Sequence, residues 1–94
     1  MQTYVDPGKP GRDTVHFTFF VPSGSELAIA SARAMELTPS GGTRALKLLR
    51  FDKGHFAANV DLTAGRWTFL IDATPRAGAA VAAHFSHTIS RGGT

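Results

Sequence analysis

Four histidines, His16, His55, His84 and His87, carry most of the chemistry open to this chain. Imidazole suits copper, zinc and nickel, whereas a thioether suits Cu(I). Only Met1 and Met35 offer sulfur, and there is no cysteine. A methionine-rich Cu(I) site, a thiolate zinc site, a disulfide staple and a cysteine nucleophile are therefore excluded. What survives is a site of two or three histidines completed by a carboxylate or water. Classical catalysis has less to stand on. None of the serines sits in Gly-x-Ser-x-Gly, and no pair of carboxylates is placed together by local spacing. The aspartates and glutamates fall mostly at turns or on polar faces, where they normally accept backbone hydrogen bonds. The sequence is that of a non-enzyme.

Composition narrows the class further. Ninety-four residues with 43% apolar content make one domain, 1–94, with an ordered core over about 4–90 and a flexible tail at 91–94. The net charge is +3, and the basic residues are scattered rather than gathered into a stripe with aromatics, so nucleic acid is not the expected partner. No apolar run approaches the roughly 20 residues that span a bilayer, so direct membrane insertion is not expected. No signal peptide is legible at Met1-Gln2-Thr3-Tyr4. The chain reads either as a soluble protein or as a domain of a larger exported one.

The elements that must position the histidines read as strands. Thr14 to Val21 alternates, with Val15, Phe17, Phe19 and Val21 on one face and His16, Thr18 and Phe20 on the other. Phe56, Ala58, Val60 and Leu62 share a face, as do Trp67, Phe69 and Ile71, and Thr63-Ala64-Gly65 joins these two runs into a hairpin. Leu27 to Leu37 reads as a long strand with Leu27, Ile29, Met35 and Leu37 on one face and the alanines on the other. Ala45 to Phe51 reads as one strand, Leu46 and Leu48 opposite Leu49 and Phe51. Val81 to Ile89 is the last, with a short alanine-rich helix over 79–84 as its alternative; Thr3 to Val5 is an optional seventh. Strands at roughly 8–12-residue spacing, with turn signals between, predict an all-β protein, an immunoglobulin-like antiparallel β-sandwich of six to seven strands.

Alternation then sorts the histidines. His16 faces out if Phe17 and Phe19 face in, and His84 faces out if Phe85 faces in. His55 sits at a turn just before inward Phe56. His16, His55 and His84 are the candidate metal ligands; His87, three residues from His84, lies on the other face of the same strand. Phe20, outward beside His16 and Thr18, marks a candidate partner surface. Trp67 is expected to anchor the core.

Three short signatures carry a resemblance. The stretch Pro7-Gly8-Lys9-Pro10-Gly11-Arg12-Asp13-Thr14-Val15-His16-Phe17 resembles the opening of YtkA-like domains, which include the extracytoplasmic C-terminal domain of bacterial CopD-type copper-resistance membrane proteins. Asp13 stands where that opening usually has Asn. Gly54-His55-Phe56 and Gly65-Arg66-Trp67 are similar to the Gly-His-Tyr/Phe and Gly-Arg/Thr-Trp signatures that follow in the same order. The resemblance covers about residues 5–90 and reaches the related FixH-like and CopC-like sandwiches. It implies an extracytoplasmic domain of copper handling or respiratory-oxidase biogenesis, partnered by a membrane protein, with copper as the implied ligand. The N-terminal histidine and methionine-rich site of CopC-type proteins have no counterpart here. The other reading is a protein–protein module indifferent to metal.

Overall fold

The computed structural model describes residues 1–91. The expected flexible tail, 91–94, lies from residue 92 onward outside the described residues. Eight strands run through them: β1 (Gln2–Asp6), β2 (Gly11–Thr18), β3 (Ile29–Leu37), β4 (Thr43–Leu46), β5 (Leu49–Asp52), β6 (His55–Leu62), β7 (Gly65–Pro75) and β8 (Val81–Ile89). They form two antiparallel four-stranded sheets, in the orders β1-β2-β6-β5 and β4-β3-β7-β8. The protein is an immunoglobulin-like β-sandwich, with eight strands among the described residues rather than the expected six to seven, because β1 forms and the run 45–51 divides into two strands.

Hydrophobic alternation builds the core. Val15, Phe17, Phe56, Val60 and Leu62 from the first sheet, with Phe19 just past the end of β2, meet Ile29, Ala34, Trp67, Phe69, Ile71, Ala73 and Ile89 from the second. Phe85 bridges the sheets, its ring 5.9 Å from Phe17 and 5.2 Å from Phe69. The optional strand near Thr3 forms as β1, and 81–89 is a strand rather than a helix. At the start of β2, buried Asp13 accepts hydrogen bonds at Oδ1 from the Gly8 (2.6 Å) and Lys9 (3.2 Å) amides, which closes the turn after β1.

Two expectations are corrected. The run Ala45 to Phe51 is not one strand: β4 pairs with β3 in the second sheet and β5 pairs with β6 in the first. The chain crosses between sheets at Lys47 and Leu48. Leu46 and Leu48 both pack against the core during the crossing, so the alternation continues while the pairing partner changes. The second correction is the face of β3. A register shift between Ile29 and Ser31 inserts one residue, and one extra residue reverses inside and outside beyond it. Ile29 is therefore buried, but so are Ala34 and Glu36, while Met35 is 41% exposed.

Glu36, expected on a polar face, thus enters the sandwich. Its Oε1 meets Arg44 Nε at 2.9 Å, and its Oε2 is buried with no protein partner. Burial pushes the Glu36 carboxyl above its ordinary 4.5; the Arg44 charge and hydrogen bond oppose the shift, and Asp61 adds to it. An acid whose folded value is raised contributes its full stability below 4.5 and loses it as pH rises through the raised value. Glu36→Gln keeps an acceptor for Arg44 and removes the ionisation. Its stability in urea should fall less than the parent's between pH 4.5 and neutrality. Parallel pH profiles for the two proteins would refute this account of Glu36.

Candidate functional site

The outer face of the first sheet collects the chemistry. β2 lies between β1 and β6, and its outward residues meet those of both neighbours. Tyr4 pairs with His16, His16 with Ala57, and Ala57 with Leu49, so the four form one row across the sheet. In the next row Thr18 stands opposite His55. His16 and His55 are diagonal neighbours on adjacent strands, a separation that ring side chains can bridge. His16 Nδ1 and His55 Nε2 are 3.1 Å apart. One of the two nitrogens carries the hydrogen and the other accepts it.

The surroundings fix both rings. Tyr4 stacks on His16 with centroids 4.2 Å apart and planes 9° from parallel. Phe51, 60% exposed, lies 5.3 Å from the His55 ring and 6.5 Å from that of His16. Ala57, fully buried, is the floor beneath them. His55 is placed by the turn before it. The Gly54 amide donates to Glu26 Oε1 at 2.9 Å, the Gly54 carbonyl accepts from Phe19 N at 2.9 Å, and the Lys53 carbonyl accepts from Ile29 N at 2.8 Å. Arg50 caps the same corner, donating to the Lys53 and Ala30 carbonyls with its guanidinium 4.7 Å from the Phe56 ring. The His16 pKa is lowered, first by burial and then by the charge of His55, with Asp6 opposing. At neutral pH this favours the uncharged ring, the form that ligates metal.

Two nitrogens held by bonds of about 2.0–2.1 Å at angles of about 90–109° lie about 2.9–3.4 Å apart, so the observed separation fits two positions on one ion. The fit stops at two. Among the described residues no group of three or more histidine, cysteine or acidic side chains is arranged to hold a metal.

The third expected ligand is elsewhere. His84 pairs with Leu70 on β7 and faces solvent on the second sheet. The thickness of the sandwich, about 10 Å between sheets, separates it from the His16–His55 pair. His87 is half-buried on the inner face of β8, opposite Trp67 and close to Gly8. Thr18 joins the face as His55's cross-strand neighbour. Phe20, 41% exposed, lies past the end of β2 in a bridge to Glu26. Tyr4, Leu49, Phe51 and Ala57 were not legible as site residues. The signal available was parity alone, which set Leu49 and Phe51 opposite the inward Leu46 and Leu48.

No protein-family model matches this chain, and no curated protein matches it. Among solved structures it is similar to a DUF4785 family protein from Legionella pneumophila, with a TM-score of 0.71 at 15% sequence identity. That likeness covers 95% of this chain and 28% of the other, so this chain spans little more than a quarter of that protein's length. At this identity the likeness shows the sandwich fold.

Proposed function

We propose that this chain is a non-catalytic extracytoplasmic domain of bacterial copper handling or respiratory-oxidase biogenesis, which presents a copper ion weakly at His16 and His55 and docks a membrane protein through the same face. The observation that carries the reading is the 3.1 Å approach of His16 Nδ1 to His55 Nε2 on an outward sheet face. Copper fits the pair because imidazole favours late first-row ions, with Cu(II) the tightest of the divalent series. Two protein ligands make for loose binding, which suits an ion that is to be passed on. The resemblance of the Pro7–Phe17, Gly54–Phe56 and Gly65–Trp67 signatures to YtkA-like domains supplies the copper context and the membrane partner.

The test is a proton–nitrogen NMR titration of the chain with Cu(II), and separately with Zn(II), at neutral pH. Saturable changes should concentrate at His16, His55, Tyr4 and Ala57 and spare His84, and His55→Ala should weaken binding at least about tenfold. Diffuse changes, or changes of equal size at His84, would refute metal presentation. The metal-independent docking module would then be the better reading. It is favoured by the exposure of Phe51 and Phe20 beside Thr18, and Phe51→Ser would be its first variant.

A further inference from the structure

We infer that the His16–His55 pair is half of a metal site and that a second copy of this chain supplies the other half. The ion would bridge a two-fold dimer formed by the outer faces of two β1-β2-β6-β5 sheets. The inference rests on the reading of the pair as metal ligands and adds the partner that completes it; the dimer covers the face proposed to dock a membrane protein, so the two occupants exclude each other and loose two-ligand binding belongs to the monomer.

Coordination is the first argument. A four-coordinate ion needs two more ligands than this chain brings to the pair, and no third histidine, cysteine or carboxylate is gathered there among the described residues. A two-fold axis through the ion presents the same pair again and makes four imidazoles. Tetrahedral Zn(II) and tetragonal Cu(II) both accept nitrogen donors in that number.

Shape and charge are the second. The pair sits on a sheet face rather than in a cleft, and Tyr4, Leu49 and Phe51 around it are all exposed. An isologous contact sets a patch against itself, so the patch must be self-complementary. This one has an uncharged centre of Tyr4, His16, Thr18, Leu49, Phe51 and His55. Its rim carries both signs, with Asp6 on β1 and the Arg12–Asp61 ion pair farther along β2 and β6. Apolar centre would meet apolar centre, as at interfaces generally.

Size is the third argument, and it makes the dimer metal-dependent. The six central residues, even with the charged rim, fall far short of the roughly 20–30 per side of a stable interface. Each chain also carries a net +3, which opposes association. The ion must therefore supply the affinity that the surface lacks.

Sedimentation velocity of the full chain with Zn(II), with and without EDTA, tests this. Half an equivalent of Zn(II) should double the mass from 10.0 kDa, and EDTA should restore the monomer. His55→Ala should stay monomeric, and His84→Ala should dimerise like the parent. Leu49→Glu puts a charge into the contact and leaves both ligands in place. It should weaken the dimer at least tenfold while Zn(II) still shifts the His16 and His55 signals. A monomer that binds one ion with shifts confined to His16 and His55 would overturn the dimer and leave metal presentation standing. The absence of saturable shifts would overturn both. A dimer that survives EDTA or His55→Ala would overturn the metal bridge.

Discussion

Gly54→Ala should destabilise this domain by about 3 kcal/mol or more, at or beyond the upper end of ordinary overpacking. Gly54 is buried where three segments converge. A methyl group there would run into the Leu27 carbonyl oxygen, and it would lie 3.1 Å from the Phe19 carbonyl oxygen and 3.2 Å from Glu26 Cγ. Its backbone does not lie in the left-handed region, so the requirement is for space and not for conformational freedom. The Phe19 carbonyl cannot turn aside cheaply. The Phe19 carbonyl accepts from Leu27 N at 2.8 Å, and Phe19 N donates to the Gly54 carbonyl at 2.9 Å. Relief of the clash would break the bonds that tie the β5–β6 turn to β2 and β3. Thermal unfolding followed by circular dichroism should show a midpoint lowered by about 12 °C or more, at about 4–8 °C per kcal/mol for a domain this size. The same displacement moves His55, so metal-induced shifts at the His16–His55 pair should weaken in the fraction that still folds. A midpoint within about 4 °C of the parent, a cost of 1 kcal/mol or less, would mean that the corner yields easily.

Trp67→Ala should cost about 3–5 kcal/mol, the range for removing a large buried aromatic. Trp67 is 3% exposed. Its Nε1 donates to the Thr63 carbonyl at 2.9 Å, across the turn that joins β6 to β7. The Arg44 guanidinium lies 5.8 Å from the ring centre, so the indole also backs the Glu36–Arg44 pair. Loss of the side chain would leave a cavity at this end of the core and free a carbonyl in the turn. Trp67→Phe separates the two contributions: it keeps an aromatic ring and drops the hydrogen bond, which is worth about 0.5–1.5 kcal/mol. Urea unfolding followed by far-ultraviolet circular dichroism, which does not depend on the indole, should rank the parent above the Phe variant and the Phe variant above the Ala variant. An Ala variant within 1 kcal/mol of the parent would show that the ring contributes little to the core.

The metal predictions act on the opposite end of β6. Their effects should therefore be separable from those at Trp67, because distant sites with no shared partners add.

By itself, the sequence determined the faces of β2, β6, β7 and β8. Period-two alternation is a local property, written by neighbouring residues and enforced by burial of one side. It correctly set Val15, Phe17 and Phe19 inward and His16 outward, and it joined β6 to β7 through Gly65. It also excluded cysteine chemistry. Only the tertiary structure decided that His16 meets His55 and that His84 does not. The two lie 39 residues apart, and their approach depends on β2 pairing with β6 in one register, with Thr18 opposite His55. Strand neighbours and registers follow from how two faces pack and how connections cross between sheets, and no single strand's pattern encodes that. The bulge after Ile29 shows the same limit. One inserted residue, with no distinctive sequence mark, moved Met35 to solvent and Glu36 into the core. The split of 45–51 leaves no mark in the pattern, because the inward leucines keep their rhythm while the chain changes sheets. Alternation reports which side of a strand is dry, and only the assembled sandwich determines which strand lies beside it.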